Sequence, residues 1–143
     1  MLKYSRQREA IKNFLMTRTD HPTADMIYMH IKHQFPNISL GTVYRNLALL
    51  LSLGEISKIN CGDGSVHFDP VITPHYHFFC NECGSVQDIN ISINTNLDIL
   101  ASENFSGEIE HHSIIFYGKC ANCSNNKIDR SGDFKKFPNY NKK

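Results

Sequence analysis

Apolar residues recur every three or four positions in three successive segments of the amino-terminal half, and this spacing predicts three amphipathic helices. The first begins after Ser5, the second runs from Thr23 to Phe35, and the third runs from Leu40 to Leu53. Pro22 disfavours helical geometry at the residue before it and so separates the first two helices. The apolar stripes of the three helices are Ala10, Ile11, Phe14 and Leu15; Ile27, Ile31 and Phe35; and Leu40, Val43, Leu47, Leu50 and Leu51.

The third helix has clear signals at both ends, and a β-hairpin is predicted directly after it. Ser39 is a favourable N-cap, and Gly54 is suited to end the helix. Strands are predicted at residues 55–60 and 65–69, joined by a turn at residues 62–64 that contains two glycines. Two helices joined by a short turn, with a hairpin after the second, predict a winged helix-turn-helix.

The polar face of the third helix carries Thr42, Tyr44, Arg45 and Asn46. An arginine can form paired hydrogen bonds with a guanine edge, and tyrosine or threonine can contact a thymine methyl group or a phosphate. The helical pattern alone leaves two interpretations open, a DNA-reading face or a solvated face without a ligand.

Two Cys-x-x-Cys pairs dominate the second half of the chain and include four of its five cysteines. Cys80, Cys83, Cys120 and Cys123 have the spacing of a closed tetrahedral zinc site, which contributes to folding rather than to chemistry. The alternative is two disulfides or unrelated cysteines. Cys61 stands apart from both pairs, and we expect it to be an inert, partly buried thiol.

Composition places the 143-residue chain among globular proteins, and its charge is unevenly distributed. Residues 1–70 carry +2 (8 Lys/Arg, 6 Asp/Glu), residues 71–123 carry −5 (1 and 6), and residues 124–143 carry +4 (6 and 2). We expect a winged-helix DNA-binding domain, a dimerisation and metal-binding domain, and a disordered basic tail over these three ranges. Neither a membrane span nor a signal peptide is recognisable, which favours the cytoplasm.

Histidines and aspartates near the first cysteine pair suggest a second metal site. His75 and His77 are two residues apart, so in a strand both imidazoles point to one side and can reach the same ion. With His21, Asp69 and Asp88 they would form a nitrogen and oxygen site suited to Fe(II), Mn(II), Co(II) or Zn(II). Spacing supports only the His75/His77 pair, and an exposed His-x-His on an edge strand is the alternative.

The same motifs, in this order, resemble those of the ferric uptake regulator (Fur) family of metal-dependent bacterial repressors, and most closely its peroxide-sensing PerR branch. The resemblance covers roughly residues 5–123. The matching segments are residues 6–8, 21–25, 39–47, 68–69, 75–84 and 111–112, and the cysteine pair Cys120/Cys123.

The resemblance implies an α+β protein, an amino-terminal winged helix-turn-helix followed by a small α/β dimerisation domain with a four-cysteine zinc site. It implies a homodimer that binds a pseudo-palindromic double-stranded DNA operator, with metal as co-repressor. Structural Zn(II) would be held by the four paired cysteines, and regulatory Fe(II) or Mn(II) would bridge the two domains. The implied ligands of the regulatory metal are His21, Asp69, His75, His77 and Asp88.

Aspartate at positions 69 and 88 favours the peroxide-sensing branch, since iron-uptake regulators tend to have glutamate there. By resemblance, oxidation of His21 or His75 to 2-oxo-histidine would release DNA and derepress oxidative-stress genes. Hydrogen peroxide would be a signal, not a substrate, so no enzyme activity is expected. An iron- or manganese-responsive repressor of metal uptake is the alternative. His112 matches a ligand of a further metal site found in the family, but the other ligands of that site are missing here. We therefore expect His112 to have a structural role or to lie at the surface.

Two other functional classes fit the residues less well. A metal-dependent hydrolase would need room for substrate and water beside five protein ligands, and no separate general base is identifiable. A zinc-stapled interaction module would not need the DNA-reading helix. For DNA we expect Tyr44 and Arg45 at base edges, Ser39 and Thr42 at phosphates, and Arg8 at a phosphate or in the minor groove.

Overall fold

The computed structural model describes residues 2–125 and has the predicted α+β character. Most of the predicted basic tail, residues 126–143, lies outside the described residues. Three helices and a hairpin are followed by a three-stranded sheet with two short helices. The elements are α1 Arg6–Met16, α2 Ala24–Gln34, α3 Leu40–Ser52, β1 Ser57–Asn60, β2 Val66–Asp69, β3 Tyr76–Cys80, β4 Val86–Ile89, α4 Asn96–Ser102, β5 Ile115–Gly118 and α5 Ala121–Ser124.

Each of the first three helices begins at a hydroxyl side chain that accepts a backbone hydrogen bond. Ser5, Thr23 and Ser39 accept from the amide three residues later, over 3.3, 3.4 and 3.1 Å. The predicted cap at Ser39 is therefore confirmed, whereas Thr23 is a cap and not the first helical residue. Gly54 follows α3 with φ of 68°, the left-handed conformation expected of a residue that ends a helix.

One hydrophobic core joins the three helices to the hairpin. Every predicted stripe contributes buried side chains, and Ile56 and Phe68 add the hairpin to the same cluster. At about 25 cal/mol per Å² of apolar surface, burial of such side chains is the main force holding the helices together. The buried members of this core are Ile11, Leu15, Ala24, Ile27, Ile31, Ile38, Val43, Leu47, Leu50, Ile56 and Phe68.

The hairpin also packs against the second sheet, so it belongs to both halves of the molecule. Its strands pair in antiparallel register from Ser57 opposite Asp69 to Asn60 opposite Val66. Ile59 and Cys61 then join a smaller cluster with the sheet. Cys61 is buried (7% exposed), more so than we expected from sequence, and burial, the largest influence, raises the pKa of its thiol.

The second sheet has the strand order β4-β3-β5. Strand β3 is antiparallel to β4 and parallel to β5, so its central position places His77 directly opposite Asp88. Strand β4 is short and spans Val86–Ile89. Among the helices of residues 2–125, none has both the length and the apolar content needed to cross a membrane.

Candidate metal centres

The two Cys-x-x-Cys pairs meet at one end of the second sheet. Cys80 ends β3, Cys83 lies in the turn to β4, and Cys120 and Cys123 lie at the start of α5 and within it. Their four sulfur atoms are all within 4.8 Å of one another, and Cys83 Sγ is 3.7 Å from Cys120 Sγ. All are free thiols. Four sulfurs at such separations match the ligand set of a closed tetrahedral zinc site better than two disulfides.

Backbone amides already favour the thiolate form in this cluster. The N–H groups of Cys83 and Cys120 donate to Cys80 Sγ over 3.5 and 3.4 Å, and these hydrogen bonds lower the pKa of Cys80 to about 6. The pKa of Cys123 is raised, first by its hydrogen bond with Cys120. The pKa is thus lowered at one cysteine of the site and raised at another. Four thiolates repel one another unless a cation lies among them. The donor set therefore fits Zn(II).

The histidine and aspartate residues converge at a second place, between the helical half and the second sheet. Their potential ligand atoms all lie within 4.8 Å of one another. His21 comes from the connection between α1 and α2, Asp69 ends β2, His75 precedes β3, His77 lies in β3, and Asp88 lies in β4. The structure thus brings together all five residues predicted to hold the regulatory metal, from four different segments of the chain.

Three imidazole nitrogens surround two carboxylate oxygens in this cluster. The Nε2 atoms of His21, His75 and His77 lie 3.2, 3.0 and 3.1 Å from Asp69 Oδ2. The same three nitrogens lie 2.9, 3.0 and 3.5 Å from Asp88 Oδ1. Asp69 is 2% exposed, whereas Asp88 is 52% exposed. The cluster is therefore closed on the side of Asp69 and open to solvent on the side of Asp88.

Hydrogen bonds at the outer nitrogens orient two of the imidazoles. His21 Nδ1 donates to the carbonyl of Val86 over 3.1 Å, and His75 Nδ1 donates to the carbonyl of Thr73 over 2.7 Å. When such a ring is neutral, its proton is on Nδ1, and Nε2 therefore presents a lone pair to the carboxylate oxygens. Lone pairs facing one another require a cation among them or protons on the rings, so the donor set fits a divalent metal.

The pKa shifts show which charges the cluster favours without a metal. Burial is the largest influence on His21 and lowers its pKa, but the hydrogen bond and charge of Asp69, helped by Asp88, raise the pKa overall. Burial raises the pKa of Asp69, and hydrogen bonds from His21 and His77 outweigh this and hold it far below its usual range. A divalent cation would interact with the same carboxylates, and its binding would displace any proton held at the cluster.

His21 adopts an unusual backbone conformation. Its φ is 53°, in the left-handed region that costs a non-glycine residue about 1–2 kcal/mol. The carbonyl of His21 accepts a hydrogen bond from His67 Nδ1 over 2.6 Å, and the carbonyl of Pro22 accepts one from the amide of Phe68 over 2.9 Å. Our sequence reasoning missed His67. Its signal was a histidine two residues before Asp69, on the same face of the strand.

Three of the predicted DNA-contacting side chains, those of Ser39, Thr42 and Arg45, are linked to one another at the start of α3. Arg45 Nη2 donates to Thr42 Oγ1 over 2.9 Å, and Ser39 Oγ lies 2.9 Å from the same oxygen. Tyr44 is 50% exposed. Arg8 Nη2 donates to the carbonyl of Lys3 over 2.7 Å, so its guanidinium is directed at the amino-terminal segment. The face of α3 is preorganised by these contacts, whereas Arg8 would have to change partner to reach DNA.

His112 has a structural environment, as we expected. Its Nε2 lies 2.7 Å from Tyr76 Oη, and its Nδ1 lies 2.8 Å from Asp98 Oδ1. Tyr76 is buried, and its hydroxyl also accepts a hydrogen bond from the amide of Asn94. These contacts tie α4 and the segment before it to the central strand.

Comparison with known protein families and sequences identifies relatives over most of the chain. The model of the ferric uptake regulator family matches residues 1–117. The peroxide operon regulator of Bacillus subtilis is 37% identical over 118 residues, which is 82% of this chain and 81% of that protein. The peroxide-responsive repressor PerR of Staphylococcus aureus (strain Mu50) is 34% identical over 122 residues, 85% and 82% of the two chains.

Solved structures give the same result. The peroxide stress regulator of Campylobacter jejuni superposes with a TM-score of 0.65 at 28% identity, covering 82% of this chain and 88% of that one. The ferric uptake regulator of Helicobacter pylori, at 22% identity, superposes with a TM-score of 0.74 over 86% and 83% of the chains and shows the same fold. This chain is a member of the ferric uptake regulator family.

Proposed function

We propose that this protein is a metal-dependent, DNA-binding transcriptional repressor that senses hydrogen peroxide through oxidation of a histidine. The observation that carries the proposal is the five-residue cluster, in which three imidazoles and two aspartates converge from both halves of the chain. Relatives at 34% and 37% identity are named as peroxide regulators, which supports this branch of the family.

In this proposal the regulatory metal, Fe(II) or Mn(II), is held by His21, Asp69, His75, His77 and Asp88, and Zn(II) by the four paired cysteines. Fe(II) would supply the one-electron chemistry that reduces hydrogen peroxide. His21 and His75 place their rings at the cluster and are the residues that would gain an oxygen atom. Because Asp88 is half exposed, a small solute can approach from its side. Since the oxidised histidine is not regenerated, the protein is a sensor and not an enzyme.

The cluster also explains how metal could control DNA binding. His21 belongs to the helical half that carries α3. By contrast, His77 and Asp88 belong to the second sheet, and His75 directly precedes its strand β3. A metal held by all of them would fix the angle between the two halves. In a two-fold dimer that angle sets the distance between the two copies of α3, which must match the half-site spacing on DNA. Losing one imidazole from the cluster would free this angle.

Exposed apolar side chains support a homodimer as the assembly. Helix α4 has no buried residue, and Leu97, Ile99 and Leu100 are 38%, 62% and 59% exposed. Phe116 on the edge strand β5 is 42% exposed. Exposed apolar side chains gathered into one surface are typical of a protein–protein interface. We propose that it pairs with the same surface of a second copy.

The peroxide proposal predicts oxidation confined to the cluster. Protein loaded with Fe(II), then exposed briefly to a low dose of hydrogen peroxide, should gain about one oxygen on the peptides carrying His21 or His75, and lose affinity for its operator. The same treatment with Mn(II) should leave these peptides unchanged. Peptide mass mapping measures this, and His33, exposed on α2, serves as an internal control in the same digest.

Oxidation of the His33 peptide to the same extent as the cluster peptides would mean that the reaction is unselective and would overturn the sensor proposal. Absence of histidine oxidation, with one Fe(II) bound per chain and DNA binding dependent on it, would instead identify a repressor of metal-uptake genes whose signal is metal occupancy.

Arg45 is predicted to carry part of the DNA sequence selectivity. In the metal-loaded dimer, Arg45→Ala should weaken operator binding by about 1–3 kcal/mol and relax the preference at one base pair per half-site. Electrophoretic mobility shift with a set of single-base operator variants measures both effects. Lys119→Ala is the control, because it removes the same charge beyond the end of β5. Unchanged affinity and selectivity in Arg45→Ala would refute this role.

A further inference from the structure

The buried histidine of the hairpin, His67, lies behind the regulatory cluster without contributing a ligand atom to it. It is 7% exposed and projects from β2 on the same side as Asp69. Its ring has a hydrogen-bond partner at each nitrogen. A buried imidazole with both nitrogens engaged is held in a single orientation, and each of its two contacts has a structural consequence.

The first contact fixes the backbone of a proposed metal ligand. A carbonyl oxygen can only accept, so His67 Nδ1 donates to the carbonyl of His21 over 2.6 Å. His21 has φ of 53°, a conformation that a histidine keeps only when its surroundings impose it. The neighbouring bond from the Phe68 amide to the Pro22 carbonyl holds the next residue in place. The direction of the His21 ring therefore depends on the hairpin.

The second contact leads from His67 to the turn of the hairpin. Ser65 Oγ lies 3.1 Å from His67 Nε2 and 2.6 Å from Asp63 Oδ1. The amide of Ser65 donates to the same carboxylate oxygen over 2.9 Å. Polar contacts at hydrogen-bond distance thus run from the exposed turn, through Ser65 and His67, to the backbone of His21.

We propose that His67 is a positioning residue that holds His21 in its metal-binding conformation and couples the turn of the hairpin to the regulatory metal. The inference rests on the proposed metal function of the five-residue cluster. DNA that contacts and orders this turn would therefore also favour the ligand conformation of His21. Because coupling between two binding sites is reciprocal, metal bound by His21 would in turn order the hairpin for DNA.

Two isosteric amides test the donor at Nδ1. The side-chain nitrogen of asparagine can occupy the position of Nδ1, whereas that of glutamine lies nearer the position of Nε2. In the zinc-loaded full chain, His67→Gln should lower Mn(II) affinity about tenfold or more, and His67→Asn should stay within about threefold of the wild type, as for other outer partners of metal ligands. Mn(II) titration gives the affinities, and the visible spectrum of the Co(II)-loaded protein reports the ligand geometry.

Ser65→Ala provides a variant that leaves the buried ring untouched, in case a change at His67 prevents folding. It should weaken Mn(II) binding less than His67→Gln, and it should reduce the gain in Mn(II) affinity that operator DNA produces. Equal Mn(II) affinity in wild type and His67→Gln, or equal losses in His67→Gln and His67→Asn, would overturn the positioning role. If the wild type itself bound no Mn(II) at the cluster, the proposed function would fail instead of this inference.

Discussion

Cys120→Ser is expected to abolish zinc binding and unfold the second sheet while leaving the three amino-terminal helices folded. The sheet has few buried apolar residues of its own: besides Tyr76, it contributes Phe79, Val86 and partly buried Ile115, which pack with Ile59 and Cys61 of the hairpin. A structural zinc contributes about 10–16 kcal/mol in small zinc-binding peptides, which is of the same size as the whole stability of an ordinary domain, about 5–15 kcal/mol. The helices depend on their separate core and should survive.

Zinc content by mass spectrometry and amide hydrogen exchange resolved by segment would measure this result. Protection should be lost in β3, β4 and β5 and retained in α2 and α3. Cys61→Ser is the matched control, because Cys61 is a cysteine outside the cluster. A Cys120→Ser protein with one tightly bound zinc per chain and normal protection in β3 would contradict the structural role of the site.

Asp88→Asn is expected to lower the affinity of the regulatory site for Mn(II) by at least about 100-fold. Even the loss of a hydrogen-bond partner of a metal ligand lowers metal affinity by about 10- to 100-fold. The change keeps the size of the side chain and removes one of two carboxylates at the centre of the cluster. Asp88 Oδ1 contacts the Nε2 atoms of His21 and His75 at 2.9 and 3.0 Å. Because the side chain is half exposed, folding should be little affected.

Operator binding should fall in parallel at limiting Mn(II) and recover partly when Mn(II) is raised far above its normal requirement. Isothermal titration of Mn(II) and fluorescence anisotropy with operator DNA measure the two effects on the same samples. Asp98→Asn is the control, because Asp98 contacts His112 and lies outside the five-residue cluster. Wild-type Mn(II) affinity in Asp88→Asn would remove this residue from the proposed ligand set and leave the other four to be tested singly.

The sequence contained most of the local structure. The period of the apolar residues predicted the three helices, and Ser39 and Gly54 marked the two ends of the third within one residue. These signals can be recognised in the sequence because hydrogen bonds within a helix and its caps join residues three or four positions apart. The cysteine pairs and the His75/His77 pair could be recognised as potential metal ligands for the same reason, since two ligands from one turn or one strand have a fixed spacing.

Only the tertiary structure brought His21 to Asp88, 67 positions apart, and His67 to the backbone of His21, 46 positions apart. No local pattern specifies such contacts, since they depend on how the hairpin packs against both the helices and the second sheet. The resemblance to a family named the five residues of the cluster, but their convergence, the left-handed conformation of His21 and the contact that holds it follow from packing. The spacing of residues in the sequence therefore determined which neighbouring side chains could bind one metal ion together. The packing of the chain decided which distant residues join them in one site.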